Sequence, residues 1–233
     1  MAENMQADFV QSRQAGFVRY YRIAMYELTP VQWVVHAITH PVEGFEDIRW
    51  KKSGSLKIAF FIICMLFLAN IANERLYGFN HYVPYDKIFN VVPYIVKSFV
   101  VFGAWTVGNW AVCTLLDGEG TMKNICIYSA YALVPYVTQL LVNTLLSHFL
   151  IRDEAVFISI ITIIGTGWSA ILLFSAIRSV HQYSAAKTIF AIALTIGAML
   201  IMLFLLVLLI SLIQQVAIFF STLFMEITYR IRD

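Results

Sequence analysis

The sequence predicts an all-α fold: a polytopic membrane protein of five transmembrane helices, with short interfacial helices on its N-terminal side. Of the 233 residues, 60% are hydrophobic and 13% charged, whereas a soluble domain is about half apolar and about a quarter charged. The apolar residues gather into runs of roughly the 20 residues that a bilayer crossing needs. The charged residues sit between those runs, so the surplus apolar surface has to face lipid.

Residues 1–55 read as a cytoplasmic N-terminal segment. Residues 1–16 form a polar arm with no signal-peptide pattern, which leaves targeting to the first membrane helix. From Phe17, the residues Tyr20, Tyr21, Ala24 and Met25 take helical spacing beside Arg13, Arg19 and Arg22. That pattern suits a helix in the membrane interface or one packed on the protein's loops. Thr29-Pro30 opens a second helix, with Thr29 as cap and Pro30 in the first turn, and Pro41 ends it. At about ten residues it is too short to span, so it belongs at the interface or on the protein. His36 and His40 share one face at metal-pair spacing. The glutamate of an HExxH site is absent, and Glu43, Glu46 and Asp47 reach the pair only after a sharp turn. A wet interfacial face is expected rather than a metal site.

The five crossings and the final tail occupy residues 56–225 and 226–233. The first crossing runs from Leu56 to about Ile71. Arg49, Lys51, Lys52 and Lys57 flank it and hold that side in the cytoplasm, with Trp50 at headgroup level. The connection that follows carries Tyr77, Phe79, Tyr82 and Tyr85 and reads as an aromatic external loop. The second crossing spans Ser98–Leu116, with Val91–Val96 as an outward extension. Lys97 is then placed near the outer interface, snorkelling to water; the alternative is an intramembrane cation paired with Glu74 or Asp153. Asn109 is a polar residue inside this run.

Asp117-Gly118-Glu119-Gly120 breaks the helix, and its two glycines suit positions of positive φ. The third crossing runs from near Ile125 to about Leu150. Pro135, beside Tyr136, is expected to kink it. Gln139, Asn143 and His148 lie along one stripe that should face other helices, as structural glue more than as a transport path. Arg152, Asp153 and Glu154 make a second external turn. The fourth crossing spans about Phe157–Ile177 and offers a close-packing face at Gly165, Gly167, Ser169 and Ala170. Arg178, His181 and Lys187 mark a second cytoplasmic loop.

The fifth run, Thr188–Met225, measures about 57 Å as a helix, against about 30 Å of hydrocarbon. Its excess is placed from Gln214-Gln215 onward, with Val216–Phe224 as an outer interfacial continuation. With the N-terminus inside and the C-terminus outside, ten lysines and arginines fall inside and six outside. The bias is strongest around the first helix, which usually decides orientation. Cys64, Cys113 and Cys126 lie within apolar runs without CxxC or Cys/His spacing, so neither a zinc site nor a disulfide framework is suggested.

The stretch NW (109–110), LLDGEGT (115–121) and YALVPY (131–136), together with the upstream HPVEGFEDIRWKKSGS (40–55), resembles the Yip1-domain family in its bacterial form. The resemblance spans roughly Pro41–Leu212. It implies a five-helix membrane protein with a cytoplasmic N-terminus and no established catalytic residue, here in a bacterial plasma membrane.

The motifs leave little room for catalysis. No GxSxG, HExxH or P-loop pattern occurs, no cofactor is expected, and no basic patch calls for nucleic acid. The expected function is therefore non-catalytic: a scaffold or accessory subunit of a membrane-protein complex, a transporter assembly being one plausible home. The partners are membrane lipids and either a membrane protein such as a transporter subunit or a second copy of the chain. The alternative is a small transporter or channel, against which stand the odd number of crossings and the scarcity of midplane charge. Asp117, Gly118, Glu119, Gly120, Pro135, Tyr136, Gly165 and Gly167 are the candidate docking or structural residues. Lys97, Asn109, Gln139 and Asn143 are the candidate intramembrane polar residues.

Overall fold

The computed structural model describes residues 28–78 and 89–232. The expected polar arm, the helix from Phe17, the loop residues Phe79, Tyr82 and Tyr85, and Asp233 lie outside them. Helices without strands make up the described chain. Five are long and apolar enough to cross a membrane: Leu56–Arg75, Val92–Leu115, Met122–Leu146, Ala155–His181 and Ala185–Arg230. They are named here the first to fifth crossings. Two short helices precede them, α1 (Pro30–Thr39) and α2 (Pro41–Lys51).

Local chemistry sets the boundaries of the short helices. The Thr29 N–H donates to Gln32 Oε1 at 2.8 Å, which uses one of the donors that a helix start leaves free. His40 leaves helical geometry in front of Pro41 (φ −126°), as the residue before a proline tends to, and Pro41 then opens α2. Of the two placements left open for α1, packing on the protein is the one found. Trp33, Val34 and Ala37 of α1 and Phe45 and Ile48 of α2 are buried in one core with Ile127, Tyr128 and Leu172 of the third and fourth crossings. Each large side chain moved out of water there contributes about 1.5–3 kcal/mol. Trp168 Nε1 donates to the Ile38 carbonyl at 3.1 Å and fixes α1 on the fourth crossing.

The third crossing is the centre of the bundle and its most buried helix. It is interrupted at Leu133, two residues before Pro135. The Tyr136 N–H donates to Ser169 Oγ of the fourth crossing at 2.9 Å instead of to its own helix. A side chain of a neighbouring helix satisfying a freed backbone group is what makes a proline tolerable inside a bilayer. The second crossing contains one π-helical turn, Val96–Val100.

The fifth crossing packs antiparallel on the second. Ala191 meets Cys113 and Thr195 meets Asn109. That register puts Val92, where the second crossing starts, level with about Leu212. The helix nevertheless continues to Arg232 and is 48 residues long. It does not break at Gln214-Gln215, because no glycine or proline occurs after Gly197 and glutamine is a good helix former. Residues 226–232, expected as a polar tail, are its last turns, with an Arg230–Glu226 ion pair at 3.3 Å.

Candidate functional site

The turn Asp117–Gly120 joins the second and third crossings at the end of the bundle that carries α2. Its left-handed residue is Asp117 (φ 56°); neither glycine has positive φ. This corrects the expected reason for the glycines. Aspartate tolerates the left-handed region, while Gly118 and Gly120 are required by close approach. A Cβ on Gly118 would collide with His181 Nδ1 and would stand 2.5 Å from the Tyr183 hydroxyl; one on Gly120 would stand 2.6 Å from His181 Cε1. The Gly118 N–H donates to the Cys113 carbonyl at 2.8 Å, and Thr121 Oγ1 caps the third crossing by accepting from the Asn124 N–H.

His181, the last residue of the fourth crossing, connects this turn to the bundle interior. Gly120 N–H donates to His181 Nδ1 at 3.3 Å. Nδ1 is therefore an acceptor, which places the ring proton on Nε2, 3.1 Å from Asn109 Oδ1. Asn109 Nδ2 donates to Thr195 Oγ1 at 3.1 Å, and that hydroxyl donates to the Ala191 carbonyl at 2.7 Å. Each group in the series has the role its neighbour needs, so the donor–acceptor pattern itself assigns the imidazole tautomer and the amide orientation. His181, Asn109 and Thr195 are all buried. The series runs from the loop to the fifth crossing.

Two further side chains close the same end. The Tyr183 ring stacks on His181 with centroids 5.3 Å apart. Its hydroxyl lies 3.1 Å from the carbonyls of Cys113 and Leu116, at the C-terminus of the second crossing. Burial raises the Tyr183 phenol pKa, so it stays a donor there. Lys187 Nζ sits 4.4 Å from the centroid of that ring. Arg49 of α2 bonds the Ser179 carbonyl at 3.0 Å and pairs with Glu119.

The other expected residues lie elsewhere in the bundle. Asn143 Nδ2 donates to Gln139 Oε1 at 3.3 Å and to Thr162 Oγ1 at 2.8 Å, which ties the third crossing to the fourth. Gly165 lies against Gln139, whereas a Cβ at Gly167 would meet nothing within 4 Å. Lys97 and Tyr136 line one cavity of about 330 Å³ with Asn70 and Trp105. His36 Nε2 lies 3.0 Å from Asp47 Oδ2, linking α1 to α2. No group of three metal-ligating side chains occurs among the described residues.

The family model described as the Yip1 domain matches residues 35–225. The chain belongs to the Yip1-domain family. No curated protein and no solved structure matches it. The match to the Yip1 domain starts inside α1 and takes in the turn, the His181–Asn109–Thr195 series and the cavity. It also reaches past Leu212, so much of the projecting helix belongs to the Yip1 domain as well.

Sequence reasoning placed Asp117–Gly120 and Asn109 separately and missed the residue that joins them. His181 read only as a loop marker, and Tyr183 carried no signal.

Proposed function

We propose that this Yip1-domain protein is a non-catalytic scaffold or accessory subunit of a membrane-protein complex, a transporter assembly being one such complex. The observation that supports this is the projecting part of the fifth helix. Every residue from Phe204 to Arg230 is exposed, and the last turns extend about 30 Å past the level of Val92. Ile213, Val216, Phe220, Leu223, Phe224 and Ile227 recur at i, i+3, i+7, i+10, i+11 and i+14, the spacing of one helix face. Gln214, Gln215 and Thr222 lie on the far side, together with the exposed Ile218, Met225 and Tyr229. A long, exposed apolar helix surface suits a partner helix. The site at the turn points the same way: its buried polar groups bond one another and leave no nucleophile–base pair facing open space.

The basic cluster Arg49, Lys51, Lys52 and Lys57 supports a cytoplasmic N-terminus. On that orientation an odd number of crossings carries the projecting helix to the outside of the cell, and the reading takes the membrane to be a bacterial plasma membrane.

The test is extraction of the tagged full chain and of a chain stopped after Leu212 from the native membrane in a mild detergent. The reading expects a second membrane protein in stoichiometric amount with the full chain and none with the shortened one. Equal recovery with both chains, or no partner with either, contradicts it.

A further inference from the structure

The cavity lined by Lys97 has features that the scaffold role does not use. It measures about 330 Å³, within the range of small-molecule sites. Asn70 and Lys97 define one end. Asn70 lies five residues before the end of the first crossing, and Lys97 five residues after the start of the second. Both are thus about 7–8 Å inside the same edge of the bundle, the depth of lipid headgroups and their glycerol backbone. Lys97 is exposed, so the cavity is open there, and it has no ion-pair or hydrogen-bond partner among the described residues. An exposed lysine at that depth reaches the level of the lipid phosphates.

Asn70 is 3% exposed. Its Nδ2 donates to Ser98 Oγ at 3.0 Å, and its Oδ1 is buried with no partner. Turning the amide over exchanges the two ends and still leaves one unsatisfied, at the cost such a group carries. Ser98 stands in the middle of the π-helical turn Val96–Val100, a distortion frequent at functional sites. Beyond this polar end the cavity is apolar. Val101, Phe102 and Trp105 continue from Lys97 along the second crossing, and Leu133 and Leu173 face them. The Trp105 and Ser129 polar atoms bond each other at 3.0 Å and make no demand on a ligand.

We propose that this cavity binds one anionic lipid whose headgroup carries hydroxyl groups. The phosphate pairs with Lys97, a headgroup hydroxyl meets the free end of the Asn70 amide, and one acyl chain lies along Val101, Phe102 and Trp105. A hydroxyl is the group that satisfies Asn70 in either amide orientation, because it both donates and accepts.

The full chain is placed in phosphatidylcholine nanodiscs that contain a probe with a photoreactive acyl chain. The probe is phosphatidylglycerol in one arm, phosphatidylcholine in the second and a free fatty acid in the third. Labelled residues are mapped by mass spectrometry. The phosphatidylglycerol probe is expected to label around Val101 and Leu133 above its labelling of the outward Ile163; the other two are not. Lys97→Gln should lower that labelling about fivefold, the effect of one basic residue at a membrane surface, and Lys97→Arg should keep it. Val101→Trp fills the cavity and should abolish it. Equal labelling by the phosphatidylcholine probe, or labelling indifferent to Lys97→Gln and Val101→Trp, overturns the proposal in favour of bulk lipid only. A free fatty acid that labels as strongly as phosphatidylglycerol overturns the headgroup assignment and with it the proposal.

Discussion

His181 Nε2 and Asn109 Oδ1 lie 3.1 Å apart although 72 residues separate them in the chain. Their contact joins the end of the fourth crossing to the interior of the second. Asn109→Leu removes the acceptor that the His181 Nε2–H has among the described residues, and the cost is about 1–3 kcal/mol for a buried donor left unpaired. Thr195→Val leaves the buried Asn109 Nδ2 without its acceptor and should likewise cost about 1–3 kcal/mol. Unfolding midpoints in detergent should fall for both variants; an unchanged midpoint in either would show that the series does not hold the helices together.

Gly118→Ala and Gly120→Ala each force a Cβ against His181 and should cost about 1–3 kcal/mol by overpacking. Asp117→Gly should be neutral or mildly stabilising, because Asp117 carries the left-handed backbone. Asp117→Val should cost about 1–2 kcal/mol. Thermal unfolding of the four purified variants separates close approach from backbone conformation: a harmless alanine at 118 and 120 would sink the first.

Gly165 and Gly167 should behave differently. A Cβ at Gly165 stands 2.5 Å from Gln139 Cβ, so Gly165→Ala should lower the unfolding midpoint. Gly167→Ala meets open space and should leave it unchanged or raise it, since alanine favours a helix by about 1 kcal/mol over glycine. Destabilisation by both would mean that the face at Gly167 is covered in the folded protein.

Much of this architecture was readable in the sequence, and the unread parts share a cause. Runs of about 20 apolar residues give the crossings directly. Thr29-Pro30 and Pro41 mark the ends of α1, and Asp117–Gly120 marks the reversal. These signals are local. The partners of His181 are not: Gly120, Asn109 and Arg49 reach it or its neighbour Ser179 from elsewhere in the chain, and no periodicity encodes such meetings. The two glycines were read as conformational when proximity explains them, a distinction that depends on what lies opposite. The π-helical turn at Val96–Val100 contains neither glycine nor proline, so nothing in those five residues announces it. Gln214-Gln215 was read as the start of the excess in the fifth run. The register with the second crossing does put the bundle's edge near there, but a polar pair does not stop a helix that has no breaker.

Orientation can be read by single cysteines labelled with an impermeant thiol reagent on intact cells, in a background without the native cysteines. The structure advises against Gly78 and Gly120 as positions, because a Cβ at Gly78 would run into the Ser147 carbonyl and one at Gly120 into His181. Asn90, Asp153 and Asp233 should label, and Ser53, Glu119 and Ser184 should not. Labelling at Glu119 would invert the orientation.

The dependence on a partner is read most directly from the mass of the particle released from native membrane vesicles without detergent exchange. The wild-type chain, of 26.6 kDa, should leave the membrane bound to a different polypeptide. Phe220→Gln with Phe224→Gln, which breaks the apolar stripe of the projecting helix, should release it as the single chain. A wild-type particle of one chain alone, or of whole multiples of 26.6 kDa, would contradict the accessory-subunit role.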